Sequence, residues 1–195
     1  MTVFSASVPI IVLAFALAAP QAPSAGAPAS GPETFDVVAT ATAGANAKGT
    51  LTVPLTVQID RYTPEHERTK MTDALKYNGY PGFVNALREA PRAGTLDVAG
   101  DKFAIRWARS VDTDTGRVVT IVTDQPVGFV GQGRRGSKPT AGYEVAVMQL
   151  TFDKTGHGTG TMAAAARVKP GGETGVRIDN YADKPLTLTA TVHAR

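Results

Sequence analysis

The chain has 195 residues, 43% of them hydrophobic and 19% charged, with 20 glycines and 13 prolines. That balance belongs to a turn-rich β protein and excludes a disordered polyelectrolyte. The formal charge of +3 comes from 20 basic and 17 acidic side chains, scattered along the chain, which speaks against nucleic acid as a target. Cysteine is absent, so disulfides, thiolate nucleophiles and thiolate zinc sites are excluded and packing must stabilise the fold.

Residues 1–32 carry no charged side chain. Val8–Ala19 is an apolar run of about 12 residues, the length of a signal-peptide core and short of the ~20 needed to span a bilayer. Ala16-Leu17-Ala18 supplies the small-x-small pattern of a signal peptidase site, with Ala25-Gly26-Ala27 as a later alternative. The run lacks the usual Lys or Arg before it, and no cysteine exists for lipid attachment. The expected organisation is a signal peptide over 1–19, a Pro/Ala/Ser-rich disordered linker over 20–32, and a single β-rich domain over 33–195. A secreted or periplasmic location follows from it, with no transmembrane span after cleavage.

In the domain, Phe35 to Ala43 alternates weakly, and 43–49 reads as a hairpin loop. Leu51, Val53, Leu55, Val57 and Ile59 then alternate with polar partners, a strand with one buried face. Pro54 has no amide hydrogen and places that strand at an edge or at a bulge.

The period changes next. Thr63 is an expected N-cap, Pro64 the first helical residue, and Glu65 and Glu67 suit the positive end of a helix. Met71, Ala74 and Leu75 share a face, and Asn78-Gly79 is a stop signal. A second short helix over 81–90 would bury Phe83, Ala86 and Leu87. His66-Glu67-Arg68-Thr69-Lys70 resembles half of a zinc-protease motif, but Lys70 stands where the second histidine must be. A helical turn with Glu67 beside Lys70 is expected instead.

From Gly94 onward, strands are expected near 94–98, 102–111, 117–123, 143–152, 159–168, 174–180 and 186–193, separated by marked turns. Phe103, Ile105, Trp107 and Val111 should share a face with Arg109. Trp107, Tyr143, Phe152 and Tyr181 fall in these strands, and core packing is the usual fate of such aromatics. Short sequential connections favour antiparallel pairing. The expected fold is therefore mostly β: an antiparallel β-sandwich or a closed β-barrel of about 8–9 strands, with a short helical insertion at about 63–90.

Three segments call chemistry to mind. Asp112-Thr113-Asp114-Thr115-Gly116 opens like a calcium loop, but its glycine comes one place early and Thr123 stands where the bidentate Glu belongs; a hairpin turn is expected. Gly131-Gln132-Gly133-Arg134-Arg135-Gly136 matches the dinucleotide fingerprint in letters, yet Ser137-Lys138-Pro139 does not open a helix. A glycine-rich contact loop carrying Arg134, Arg135 and Lys138 is the reading retained. Asp153 and His157 could form a base and its orienting acid, but Ser110 and Ser137, the serines beyond the linker, lie in no nucleophile motif. His193, near the end of the final strand, has still less around it.

The succession Thr123-Asp124-Gln125-Pro126-Val127-Gly128-Phe129, Tyr143 to Leu150, Gly156 to Gly160 and Ile178-Asp179-Asn180-Tyr181 resembles an uncharacterised group of exported bacterial all-β proteins. The resemblance covers about residues 50–193 and implies export and a β domain; the group carries no established activity and no functional residue to transfer. No catalytic, cofactor or metal residue is assigned. The functional expectation is a non-enzymatic module that binds a small apolar ligand or an envelope component, or serves a structural part there. Its rival is a hydrolase assembled around His157.

Overall fold

The computed structural model describes residues 31–42, 50–127, 141–171, 176–181 and 185–192. The expected signal peptide, nearly all of the linker, the 43–49 loop, the Arg134, Arg135 and Lys138 loop and His193 lie outside them. The elements run β1 (Glu33–Thr42), β2 (Thr50–Ile59), α1 (Glu65–Glu89), β3 (Gly94–Val98), β4 (Asp101–Thr113), β5 (Gly116–Thr123), β6 (Val145–Asp153), β7 (His157–Pro170), β8 (Val176–Asn180) and β9 (Leu186–Val192).

The fold is a closed barrel of eight antiparallel strands with one extra strand and a helical segment. Neighbours in sequence pair from β1 to β7, and β9 closes the ring between β7 and β1. The long β7 manages two partners on one edge: residues 157–162 pair with β9, and residues 166–170 pair with β8, which stands outside the ring. Pro54 fits this ladder because β3 pairs β2 only from Leu55 onward, leaving that edge open where the amide hydrogen is missing.

Alternation fills the barrel. Phe35, Val37 and Ala39 from β1, Leu55, Val57 and Ile59 from β2, and Leu150 and Phe152 from β6 all point inward, each buried to 3% exposure or less. Eight strands leave an interior just wide enough for side chains, and each large aliphatic or aromatic residue there contributes about 1.5–3 kcal/mol. Gly158 is one fit within that packing: a Cβ would come 2.7 Å from the Phe152 ring. Outside, Thr40, Thr52, Thr159, Thr161, Thr187 and Thr189 lie across neighbouring strands. On these strands threonines stand outward where an outer-membrane barrel carries its apolar band. No helix among the described residues is long and apolar enough to cross a membrane.

One face assignment needs correcting. A bulge in β4 between Ile105 and Trp107 adds a residue and reverses the parity of the strand. Ile105 and Ala108 therefore point into the barrel, while Trp107 turns outward beneath the helix. Thr63 serves this bulge, not the helix: its hydroxyl accepts a hydrogen bond from Ala108 N at 2.9 Å and its amide donates to Ala108 O at 2.8 Å. The residue preceding α1 is Pro64, without a side-chain cap.

Segment α1 is a helix folded back on itself. Gly79 breaks it with φ 67° and ψ −165°, a backbone region reserved for glycine. Lys70 Nζ consequently lies 3.6 Å from Glu89 Oε2, whereas a straight helix would set those residues about 28 Å apart. Both ends of the excursion return to one place, since Ile59 pairs with Gly94 through β3 and Asp60 N donates to Ala93 O at 2.8 Å. Met71, Leu75, Phe83, Val84 and Leu87 from the two arms cover Val122, Val145, Val147 and Ala166 on the outer wall of β5 to β7, a second core separate from the barrel interior.

Candidate ligand cleft beside the folded helix

The second arm of α1 builds one wall of a cleft. Tyr80, Val84 and Arg88 recur every fourth residue and so share a face, with Pro81 and Asn85 beside them. The opposite wall is Ala141, Gly142 and Glu144, leading into β6, together with Arg167 of β7; the open cleft between them has a volume of about 480 Å³. That lies within the ordinary range for small-molecule sites, about 300–1,000 Å³.

Tyr80 pins the two walls together. Its hydroxyl donates to Ala166 O at 3.1 Å and accepts from Glu144 N at 2.9 Å. Burial, reinforced by the nearby Glu144 carboxylate, raises the Tyr80 pKa far above the usual phenol value and keeps it protonated, although the amide of Glu144 pulls the other way. The Arg167 guanidinium lies over the Tyr80 ring, 5.8 Å from its centre. Glu144 Oε1 accepts from Gly142 N at 2.9 Å, while Oε2 is shielded from water and accepts nothing. Arg88 donates from Nε to Asp124 O at 3.4 Å, and the Asp124 carboxylate is already held by Arg106 at 2.8 Å.

A second crevice lies under the first arm, among Leu75, Phe83, Trp107, Val122, Val168 and Ile178. At about 70 Å³ it is below the size of a ligand site.

A third polar group closes one end of the barrel. Arg117 points inward over the rings of Phe35 and Phe152, at 5.8 and 5.5 Å, and its Nη1 binds Glu33 Oε1 at 2.8 Å. Burial opposes the charge on Arg117, yet the hydrogen bond and field of Glu33 hold its pKa above the ordinary value. Tyr62 donates to Glu33 Oε2 at 2.7 Å. Burial first, then that hydrogen bond and the carboxylate charge, raise the Tyr62 pKa, while Arg117 and the nearby Ser110 lower it slightly. The Ser110 hydroxyl is buried and makes no hydrogen bond of good geometry. The group is a plug above the apolar interior: every charge in it faces a partner.

Of the residues singled out in the sequence, Asp153 and His157 are brought together, in the hairpin between β6 and β7. Asp153 Oδ1 accepts from Thr155 N at 2.8 Å, Thr155 Oγ1 at 2.6 Å and His157 N at 3.1 Å. The Thr155 hydroxyl is the largest influence holding the Asp153 carboxyl below its usual range. The carboxylate thus organises backbone, and no bond runs from it to the imidazole. Asp112 to Gly116 is a two-residue hairpin in which Thr113 pairs with Gly116. Glu67 binds Arg61 at 2.9 Å and Lys70 lies near Glu89, so the expected Glu67 and Lys70 proximity is replaced by longer-range pairs. Tyr143 and Tyr181 meet edge to face at 5.2 Å.

Sequence reasoning passed over Tyr80, Arg88, Glu144 and Arg167, and likewise Glu33, Tyr62 and Arg117. The signals existed. Glu33 and Arg117 interrupt inward apolar stripes, Glu33-Phe35-Val37 and Arg117-Val119-Ile121, and Tyr80 stands between two helix breakers, Gly79 and Pro81.

These features define a closed eight-stranded barrel carrying a folded-back helix on its outer wall, with a polar-lined cleft where helix and barrel part. No protein-family model, no curated protein and no solved structure matches the chain.

Proposed function

We propose that the protein is an exported, non-enzymatic module that binds a small ligand in the Tyr80 cleft. One observation carries the reading: about 480 Å³ of open space is lined by fixed polar groups and apolar residues together, the composition of a recognition site. The barrel interior offers no comparable support, because Phe35, Phe152, Ile59, Ile105, Leu150 and Met162 occupy it, each below 2% exposure. Export rests on the charge-free, apolar leader and on the resemblance to exported bacterial β proteins. The hydrolase reading draws no support from the hairpin, where Asp153 is committed to backbone amides.

The test is to express the chain with its own leader, collect the extracytoplasmic fraction, extract it with solvent and identify any co-purified compound by mass spectrometry. An Asn85→Trp variant fills the cleft from an exposed helical position and should lose the compound while keeping its circular dichroism. A compound that survives this substitution would place the seat elsewhere, and an unprocessed chain confined to the cytosol would remove the export reading.

A further inference from the structure

We infer that the cleft takes a small monoanionic amphiphile, a single carboxylate or phosphodiester group on an apolar body, with the anion held by Arg88 and Arg167. This rests on the cleft being the ligand seat.

Arg167 is the main reason. Its guanidinium lies over the Tyr80 ring, 5.8 Å from the centre, and beside Gly142, where an added Cβ would come 3.5 Å from Nη1. Attraction to a ring face acts through the ring quadrupole and spends no hydrogen-bond acceptor on the cation. Among the described residues, the Arg167 side chain makes no hydrogen bond, and the Asp179 carboxylate, paired across from it on β8, feels its charge without bonding it. A planar cation held in place with unspent donors matches an oxyanion in two-point geometry. Arg88, on the same side as Val84, spends only Nε, on a long bond to Asp124 O. The Asp124 carboxylate is bonded to Arg106, and its contact with Arg88 runs through the backbone oxygen alone.

Two further features narrow the ligand. Glu144 places one carboxylate in the same cleft, so a second negative charge on the ligand meets like charge in a partly desolvated site, which favours a monoanion over a dianion. Pro81, Val84 and Ala141 line the remainder and give an apolar body a surface that a bare inorganic anion would leave unused.

The experiment is a titration of the ¹⁵N-labelled protein, followed by NMR, with octanoate, dibutyl phosphate, monobutyl phosphate as a dianion in mildly alkaline buffer, and octanamide as the neutral isostere. Octanoate or dibutyl phosphate should shift the amides of the second arm of α1 and of 141–144, and whichever binds more tightly identifies the anion. Its affinity should exceed that of octanamide and of monobutyl phosphate at least about tenfold. Arg167→Gln and Arg88→Gln, both at exposed positions, should each weaken the anion about tenfold and leave octanamide unchanged. Glu144→Gln should narrow the gap between monoanion and dianion. Equal binding of octanoate and octanamide, or an unchanged affinity in both arginine variants, overturns the anion while leaving the cleft as the seat. If no compound shifts a cleft amide, the seat itself is wrong and the inference falls with it.

Discussion

Arg117 reaches across one end of the barrel to Glu33, Nη1 to Oε1 at 2.8 Å, joining strands 84 residues apart in the chain. The two side chains keep 19% and 22% of their exposure, so the pair is neither a free surface contact nor fully dry.

Removing the second partner should therefore cost less than removing the first. Glu33→Gln leaves a cation above two aromatic rings and should cost about 1–3 kcal/mol, the buried-pair figure reduced for remaining solvent. Arg117→Met keeps the packing on Phe35 and Phe152 but strands Glu33. The double variant should be less destabilised than the sum, with coupling of about 1 kcal/mol or more, as read from urea unfolding midpoints.

Tyr62 and Tyr80 should both resist ionisation. Their folded pKa values lie well above the ordinary 10.0, so the folded state retains a proton that the unfolded state gives up. Their contribution is complete below pH 10 and is lost as pH rises above it. Absorbance titration should show these phenols ionising only together with loss of structure, and Tyr80→Phe should flatten the alkaline slope of stability. The same variant should cost about 1–3 kcal/mol near neutrality, because Glu144 N and Ala166 O lose their partner. Reversible, independent titration of all five tyrosines near their usual value would contradict this.

Gly158→Ala should be destabilising by about 1–3 kcal/mol through overpacking against the Phe152 ring, and Phe152→Leu should recover part of the loss by giving way. Gly79→Ala has no such rescue, since its cost is backbone strain of about 1–3 kcal/mol at a positive φ. Thermal unfolding of the three single variants and the Gly158→Ala/Phe152→Leu pair separates the two causes.

Asp153→Ala should loosen the β6–β7 hairpin, seen as faster amide exchange at Thr155 and His157, whereas His157→Ala should not, because His157 contributes its backbone there. The Asp153 pKa is depressed, so its support is present above the ordinary carboxylate range and fades as pH falls through the folded value. Hairpin exchange that is insensitive to acid would argue that the carboxylate is idle.

Much of the scaffold was legible in the chain. The two-residue period of Phe35 to Ala43, of Leu51 to Ile59 and of the seven later segments marked all nine strands, and Asn78-Gly79 with Pro81 marked the break in the helix. Closure was not, because the choice between sandwich and barrel depends on β9 meeting β1 and β6 meeting β7, and alternation reports which face is buried without naming the neighbour. Trp107 was put on the wrong side by one bulged residue that the pattern cannot display. The cleft residues escaped for another reason: Arg88 and Arg167 are ordinary exposed cations until Gly79 swings Tyr80 beneath one of them and beside the other.

Phe35 finds its second neighbour, Val192, in β9, 157 residues further along the chain. Until β9 docks, β1 keeps one edge exposed, and such an edge invites pairing with other chains. Distant pairing of this kind also slows folding. Release of β9 from the ring should therefore uncover β1 from Phe35 to Thr40 and leave a strand edge open to association.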